Sequence, residues 1–405
     1  MRAYERFLKY VTIATPSDDS SNTVPTSACQ FDLANVLVDE LCALGLDARV
    51  DDKCYVYAIL PATAGYESAT KIGFIAHMDT SPDFNGVGVK PCIIQNYDGG
   101  NVKLGASDRA LTVAAFPHLP SLAGRTLITT DGTTLLGADD KAGVAEIITL
   151  LERLIESGEP HGQISVCFTP DEEVGSGADH FDIAAFDAEF AYTVDGGAEG
   201  EVEFENFNAC GAKFEINGFN IHPGSAKDTM INAQLLAMEI NSMLPAGQTP
   251  RDTDGYDGFY HLCSMSGSVE KAELYYIVRD HSDEIFEQRK RTLSKIEAEM
   301  NRRWGEETVK LTVKEQYRNM REKILPCYHL IDNALDATRE QGIEPHVCPV
   351  RGGTDGARLS YMGLPCPNLG TGGYAFHGPY EHITVEGMDI VVNILHGIVK
   401  RYAAR

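Results

Sequence analysis

The chain has 405 residues, of which 43% are hydrophobic and 23% are charged, and its formal net charge is −25. This length exceeds what one ordinary hydrophobic core accommodates, so two domains of a globular protein are expected. The strong negative charge argues against nucleic acid and anionic membranes as partners, because both require a positive surface.

The first half of the chain alternates strand and helix patterns. Short, apolar, β-rich runs predict strands at residues 55–60, 71–79, 164–170 and 188–196. An amphipathic helix is predicted around residues 144–155, where apolar side chains recur at helical spacing, and Gly158 ends it. The alternation predicts an α/β sheet, in which ligands bind beyond the carboxyl ends of the strands.

The middle of the chain has a different order of elements. Strands are predicted at 212–218, 259–270, 272–280 and 308–317, and helices at 230–244 and 284–303. Strand-helix-strand-strand-helix-strand is the ferredoxin-like order. We therefore predict an inserted α+β domain at residues 209–321, and a first domain formed by residues 1–208 and 322–405.

Cysteine usage and the N-terminal segment indicate a cytoplasmic protein. The ten cysteines are scattered singly without a C-x-x-C pair, which is typical of reduced thiols rather than of a disulfide framework or cysteine zinc ligands. Charges interrupt the apolar positions of residues 1–17, so no signal peptide is expected. No apolar run approaches the length of a membrane span.

Acidic and imidazole side chains lie near the ends of the apolar runs. They are His77, Asp79, Asp139, Glu172, Glu173 and Asp195, and His377 follows near the C-terminus. Carboxylates and imidazoles are ligands for borderline-soft divalent cations, and one further carboxylate would remain to move protons. The set predicts a hydrolase that uses two zinc ions.

Five of these residues also have an ordinary structural explanation. His77 and Asp79 point the same way on a strand, as they would in a buried histidine–aspartate pair. Asp139 would cap a helix, and the adjacent Glu172 and Glu173 would be solvated in a loop. The whole set of residues favours a shared site for His77 and Asp79, and the strand that ends just before the two glutamates favours one for them. On its own, Asp139 is explained best as a helix cap.

Almost the full length of the chain resembles the M20 family of di-zinc metallopeptidases. The shared elements are FIAHMD, GADDKAG and PDEEVG, and the segments HPGSAK, RGGTDGA and MGLPCPNL are typical of the tripeptide aminopeptidases in that family. The resemblance implies a mixed-sheet α/β catalytic domain with an inserted ferredoxin-like lid, which closes over the substrate. It also implies an aminopeptidase that releases the N-terminal residue of tripeptides and holds two Zn²⁺ per chain.

The resemblance implies a role for each metal ligand. One ion takes His77 and Asp195, the other takes Glu173 and His377, and Asp139 bridges the two. Four clustered carboxylates would repel one another and take up protons, so the ions are also expected to stabilise the cluster.

The remaining roles also follow from the resemblance. Glu172 is implied as the general base and Asp79 as a residue that orients an imidazole. His222 and Arg279 in the lid are implied to hold the substrate or the tetrahedral intermediate, and Arg351 is a candidate for the C-terminal carboxylate of the peptide. The alternative for His222 is an ordinary loop histidine, and that for Arg279 is an ion pair with the adjacent Asp280. The alternative for Arg351 is a plain glycine-rich turn.

Several alternatives stay open. A dipeptidase, an N-acyl amino-acid amidohydrolase and a desuccinylase would share the metal ligands, and His382 is an alternative ligand to His377. A catalytically inactive metal-binding or scaffold protein is an alternative of another class, although it would have no use for Glu172. Short peptides are the expected partners, and a homodimer is left open.

Overall fold

The structure is a computed structural model that describes residues 1–403. The helices are α1 (Ala3–Tyr10), α2 (Gln30–Ala43), α3 (Ala138–Ser157), α4 (Ile183–Phe186), α5 (Ala233–Ser242), α6 (Asp283–Trp304), α7 (Arg321–Ile324), α8 (His329–Glu340), α9 (Asp355–Tyr361) and α10 (Val385–Ala403). The strands are β1 (Asp47–Val50), β2 (Val56–Leu60), β3 (Ile72–His77), β4 (Cys92–Ile94), β5 (Val102–Lys103), β6 (Ala110–Leu111), β7 (Leu127–Thr129), β8 (Ile164–Thr169), β9 (Phe190–Gly196), β10 (Glu201–Glu203), β11 (Asn208–Asn217), β12 (Phe259–Gly267), β13 (Lys271–Asp280), β14 (Val309–Tyr317), β15 (His346–Val347), β16 (Asn368–Gly370), β17 (Gly373–Tyr374) and β18 (His382–Thr384).

Two compact units divide the chain. Unit 1 comprises Met1–Phe204, Glu322–Cys348 and the segment that begins at Thr354, and unit 2 comprises Glu205–Arg321 and Pro349–Gly353. The predicted boundaries place residues 349–353 in the first domain, whereas the structure places them in unit 2. Backbone pairing explains the difference, because the Val350 amide donates to the Glu205 carbonyl at 2.8 Å and the Val350 carbonyl lies 3.1 Å from Nε2 of His281.

The main sheet of unit 1 is mixed and has eight strands in the order β1-β2-β8-β3-β9-β16-β10-β15. Its centre is parallel, because β3 pairs in parallel with both β8 and β9. Every residue of β3 and β8 is buried, as expected of parallel strands that are covered on both faces. The predicted α/β class with a mixed sheet is therefore confirmed.

Helix α3 packs against β3 and β9, and α1 and α10 pack against α3. The first residues of α3 are not helical, since Asp139 has φ −86° and ψ 102° and Asp140 has φ −126° and ψ 31°. The peptide bond between these two aspartates is cis. Gly143 permits close packing, because a Cβ atom there would lie 2.0 Å from the carbonyl oxygen of Val194 in β9. The start of α3 is thereby held against the carboxyl ends of the central strands.

Unit 2 has the predicted ferredoxin-like order of elements. Strands β11 to β14 form an antiparallel sheet in the order β12-β13-β11-β14. Helices α5 and α6 supply apolar side chains to its core, among them Leu236, Ile240, Phe286 and Leu293, which pack with Phe214 of the sheet. The alternation along β13 is typical of a sheet with one buried face.

All ten cysteines are free thiols, as predicted. Within residues 1–403, no helix combines the length and the apolar composition that crossing a bilayer would require.

Candidate metal centre

The central parallel strands of unit 1 bring their carboxyl ends to one edge of the sheet. His77 is the last residue of β3, and Asp195 lies next to the end of β9. Glu172 and Glu173 begin the short turn that follows β8. Because neighbouring parallel strands end at the same edge, these side chains converge although they are far apart in sequence.

Asp139 lies between the two histidines. Its Oδ1 atom is 2.8 Å from Nε2 of His77, and its Oδ2 atom is 3.3 Å from Nε2 of His377. His77 Nε2 also lies 3.3 Å from Oδ1 of Asp195, and His377 Nε2 lies 3.0 Å from Oε2 of Glu173. The two oxygens of one carboxylate thus face two different imidazoles, each of which has a second carboxylate beside it.

Potential ligand atoms group around His77 in two sets. The atoms of His77, Asp139 and Glu173 lie within 4.8 Å of one another, and so do those of His77, Glu172 and Asp195. The structure therefore brings together all of the predicted metal ligands and Glu172.

The donor set fits divalent cations. Oε1 of Glu173 is buried and has no hydrogen-bond partner within residues 1–403. A buried carboxylate oxygen without a partner is costly unless a cation or water balances it. Carboxylates and imidazoles in one cluster, without sulfur, are ligands that zinc accepts. These residues are thus suited to hold metal ions.

Crowding of the carboxylates shifts their protonation. Burial, together with the Asp139 carboxylate, raises the pKa of Glu173 to about 7, and burial raises the pKa of Asp195 to about 6. Burial and then the charge of Asp195 raise the pKa of Glu172 well above its usual range. Hydrogen bonds with Asp139 and Glu173 raise the pKa of His377 to about 11. The cluster therefore carries an excess of negative charge that protons or divalent cations neutralise.

Asp79 holds the backbone of the turn that contains Glu172 and Glu173, as well as the imidazole of His77. Its carboxylate oxygens accept hydrogen bonds from the amides of Glu172 at 3.0 Å and Glu173 at 3.1 Å, and from the hydroxyl of Ser17. Nδ1 of His77 lies 3.0 Å from the Asp79 carbonyl oxygen and 3.4 Å from its Oδ1. One buried aspartate thus orients residues from two of the strand ends, whereas the H-x-D spacing indicated only the imidazole.

Glu381 supports the candidate site, a role that was not predicted for it. Its Oε2 accepts hydrogen bonds from the amides of Leu136 at 2.6 Å and Gly137 at 2.8 Å, and its Oε1 accepts one from the amide of Asp139 at 2.9 Å. A carboxylate with three amide donors fixes the backbone that carries Asp139. Its position four residues after His377 indicated that Glu381 lies near the site, but the amides that it binds are distant in sequence and could not be predicted.

Asp171 fixes the turn that carries the glutamates. It has a positive φ of 56°, in the left-handed region that few residues other than glycine adopt. Its carboxylate accepts hydrogen bonds from the amide and hydroxyl of Thr26 and from Nε2 of Gln30 at 2.7 Å. These bonds compensate for the strained conformation. No pattern near Asp171 in the sequence indicates this role.

His377 is the most exposed of the candidate ligands, with 44% of its side chain accessible. Its backbone also has a positive φ of 63°. Nδ1 of the ring lies 3.2 Å from the Ser81 hydroxyl and 3.1 Å from Oδ2 of Asp83, so Nε2 is directed to the carboxylates. Partners of this kind set the tautomer and orientation of metal-binding histidines.

The alternative ligand His382 uses both ring nitrogens elsewhere. Nδ1 lies 2.7 Å from the carbonyl oxygen of Tyr380, and Nε2 lies 2.9 Å from Nε2 of His118. Since a carbonyl only accepts, Nδ1 of His382 carries the proton and its Nε2 accepts from His118. Burial lowers the pKa of His382 to about 4, in agreement with a neutral ring.

We expect this buried pair to make the protein less stable in acid. The unfolded histidine takes up a proton below about pH 6.5, whereas the folded ring does so only near pH 4. The free energy of unfolding therefore falls as the pH drops through this window, by on the order of 3 kcal/mol for this group. Urea unfolding at several pH values should show a smaller acid-induced loss for His382→Phe than for the native chain. An unchanged pH dependence would contradict the assignment, and His261→Phe, at an exposed position, is the control.

The two predicted substrate contacts of the lid lie in unit 2. His222 is exposed, and its Nδ1 accepts a hydrogen bond from the Gly224 amide at 3.1 Å. Arg279 donates to the carbonyls of Val278 at 3.0 Å and Cys210 at 3.3 Å. The adjacent Asp280 pairs with Arg289 at 2.7 Å, so the alternative of an Arg279–Asp280 ion pair is wrong.

Arg351 belongs to unit 2 and anchors a loop there. Its Nη1 donates to the carbonyls of Gly255 at 2.7 Å and Asp257 at 2.9 Å, and its Nη2 lies 3.2 Å from Oγ1 of Thr253. The guanidinium also lies over the ring of Phe207, 5.1 Å from its centroid. A substrate carboxylate that bound the guanidinium fork would have to replace some of these partners.

The chain is similar to known proteins along its whole length. The model of "Peptidase family M20/M25/M40" matches residues 130–401. The chain is 52% identical over 403 residues to peptidase T of Alkaliphilus oremlandii, which covers 98% of both chains. It is 51% identical over 406 residues to peptidase T of Clostridium perfringens, which covers 100% of both chains.

Solved structures show the same fold. Aminopeptidase PepT of Bacillus cereus has a TM-score of 0.79 at 23% identity, with 100% of this chain and 98% of that chain covered. A Bacillus subtilis protein described as a dinuclear metal binding peptidase of the M20 family has a TM-score of 0.66 at 14% identity, with 98% of this chain and 97% of that chain covered. The chain therefore belongs to peptidase family M20/M25/M40, together with its peptidase T relatives.

Proposed function

We propose that the chain is an aminopeptidase that removes the N-terminal residue from tripeptides with two Zn²⁺ ions and a glutamate general base. The observation that carries the proposal is the position of Asp139, whose two carboxylate oxygens face the imidazoles of His77 and His377. A carboxylate in this position is suited to bridge two cations. The peptidase T relatives, which match over the full length, support the tripeptide substrate.

The residues that would hold the ions are His77, Asp139 and Asp195 for one, and Asp139, Glu173 and His377 for the other. When bound, the ions supply Lewis acidity to the scissile carbonyl and lower the pKa of water. Asp79 and Glu381 position this set through backbone amides, as their hydrogen bonds indicate.

Glu172 would move the proton. One oxygen of its carboxylate lies in the same group of candidate ligand atoms as His77 and Asp195. In the proposed reaction, water loses a proton to Glu172 as its oxygen attacks the carbonyl carbon. The C–N bond then breaks, and Glu172 returns the proton to the leaving amine. His222 and Arg279 are proposed to hold the intermediate or the substrate.

A hydrolysis panel tests the proposal. The panel contains dipeptides, tripeptides, tetrapeptides and N-acylated amino acids, each with and without a chelator. We expect tripeptides to be cleaved with the highest kcat/KM, with release of the N-terminal residue and loss of activity on chelation. Preferred cleavage of dipeptides or of acylated amino acids would instead support a dipeptidase or an amidohydrolase.

Arg351 provides a test of whether the enzyme selects tripeptides by binding their C-terminal carboxylate. If it exchanges its loop carbonyls for the C-terminal carboxylate of the substrate, Arg351→Ala should lower kcat/KM for free tripeptides more than for amidated ones. Loss of a charge-assisted hydrogen bond predicts a difference of about 10–100-fold. Equal losses on both substrates, together with a lower free energy of unfolding, would assign Arg351 to the loop of Thr253 and Asp257 alone. Arg251→Ala, at an exposed position, is the control.

The cytoplasmic location and the homodimer stay predictions. Measurement of the mass in solution would decide the oligomeric state.

A further inference from the structure

A second group of metal-binding side chains lies on the edge of the main sheet of unit 1. Strand β10 carries Glu201 and Glu203, and β15 carries His346, with Cys348 immediately after the strand. The two strands are parallel neighbours, and Glu201 is paired with His346. The Cys348 amide continues the pairing by donating to the Val202 carbonyl at 3.4 Å. Alternate residues of a strand share a face, so these side chains form a two-by-two array.

Three members of the array have ligand atoms in one group, and Glu203 adjoins that group through Cys348. The ligand atoms of Glu201, His346 and Cys348 all lie within 4.8 Å of one another. The Sγ atom of Cys348 lies 3.8 Å from Oε1 of Glu203. Ligand atoms of a tetrahedral zinc ion lie about 3–4 Å apart, given bonds of about 2.0–2.3 Å.

The inner side of the array is supported by buried polar groups. Glu203 is 9% exposed, and its Oε2 accepts a hydrogen bond from Nδ2 of Asn368 at 2.6 Å. Asn368 is 1% exposed, and its own Oδ1 has no partner within residues 1–403. This bond leaves Oε1 of Glu203 facing Cys348. A buried carboxylate that is oriented by an amide and faces a thiol is typical of a supported metal ligand.

We propose that Glu201, Glu203, His346 and Cys348 bind one Zn²⁺ ion at a structural site separate from the catalytic centre. A thiolate combined with an imidazole selects zinc over magnesium and calcium, which prefer oxygen ligands alone. Four protein ligands leave no open position for a substrate, which is the mark of a structural site. The exposed face of His346 provides the entry path for the ion.

The ion would join β15, the edge strand of the sheet, to the neighbouring strand β10. Strand β15 has only two residues and pairs with β10 alone. Such a short strand contributes little pairing energy by itself, so ligands from both strands on one ion would hold it in place. This inference does not depend on peptidase activity.

Cobalt substitution of the full-length protein tests the site. The proposed catalytic ligands contain no sulfur, so a near-ultraviolet sulfur-to-cobalt charge-transfer band reports on a cysteine ligand outside the catalytic centre, and its loss in Cys348→Ser assigns it to Cys348. We expect the band in the native chain and in the exposed-cysteine control Cys263→Ser. We expect its loss in Cys348→Ser, with about one equivalent less zinc by metal analysis than in the control.

The absence of the band in the cobalt-loaded native chain would overturn the proposal, as would its persistence in Cys348→Ser. If Cys348→Ser does not fold, as judged by far-ultraviolet circular dichroism, His346→Gln decides the question. That variant keeps the thiol, and an unchanged cobalt titration of the band would exclude His346 as a ligand and overturn the site. Failure of the proposed catalytic function would abolish peptide hydrolysis but leave this band unchanged.

Discussion

Glu172→Gln should lower kcat about 10²–10⁴-fold while the metal content stays the same. Glutamine keeps the size of the side chain but cannot accept a proton from water. Burial and the charge of Asp195 raise the pKa of Glu172, the direction that a base needs to return its proton to an amine near neutral pH. Steady-state kinetics on a tripeptide, with metal analysis of the same sample, measure both quantities.

Two comparisons make this result specific. Glu156→Gln is the matched control at an exposed position of α3, and it should leave kcat unchanged. Glu173→Gln alters the adjacent residue, and it should lower the metal content as well as the activity, because Oε2 of Glu173 lies 3.0 Å from His377. Full activity of Glu172→Gln with its metal retained would exclude Glu172 as the base.

Asp139→Asn should release both metal ions together. Asp139 is the one residue whose two oxygens face both His77 and His377, so its replacement removes a charged ligand from each ion. Equilibrium dialysis with metal analysis should find about two fewer ions per chain than in the native protein, whereas Glu173→Gln should lose about one. Tripeptide hydrolysis should be lost in both variants.

Thermal unfolding offers a second readout of the same change. Zinc that binds only the folded chain stabilises it by about 4 kcal/mol at a free concentration near 1,000 times its Kd. We expect a zinc-dependent rise of Tm in the native chain that Asp139→Asn has lost for the most part. Asp131→Asn replaces a loop aspartate whose side chain accepts hydrogen bonds from Thr133, and it should behave like the native chain. Tight binding of two ions by Asp139→Asn would show that this residue does not bridge.

Short sequence patterns predicted the helices and strands, because the burial of neighbouring side chains largely determines such elements. The apolar runs at residues 71–79 and 164–170 became the fully buried strands β3 and β8, since only a strand covered on both faces accommodates such runs. The alternation in residues 308–317 became β14. His77, Asp195 and the two glutamates could be found for the same reason, because they lie at or just after the ends of predicted strands. Asp139 precedes a predicted helix, and its role, like that of His377, was implied by the family resemblance.

Long-range hydrogen bonds could not be predicted in this way. Glu381 binds amides that lie more than 240 residues earlier, and nothing near Glu381 in sequence indicates those partners. Arg351 lies in the part of the chain that was predicted to belong to the first domain, yet its segment is held in unit 2 by the backbone of Glu205. Neither contact leaves a periodic pattern, since each depends on where two distant segments meet.

The bonds of Glu381 to the backbone at Asp139 have a consequence for biosynthesis. A ribosome adds roughly 5–20 residues per second, so Asp139 precedes His377 and Glu381 by roughly 10–50 s. During that interval the nascent chain has the central strands and the aspartate, but neither the last imidazole nor the carboxylate that fixes the aspartate's backbone. In the proposed mechanism, the chain therefore gains its activity only after residues 377–381 have been synthesised.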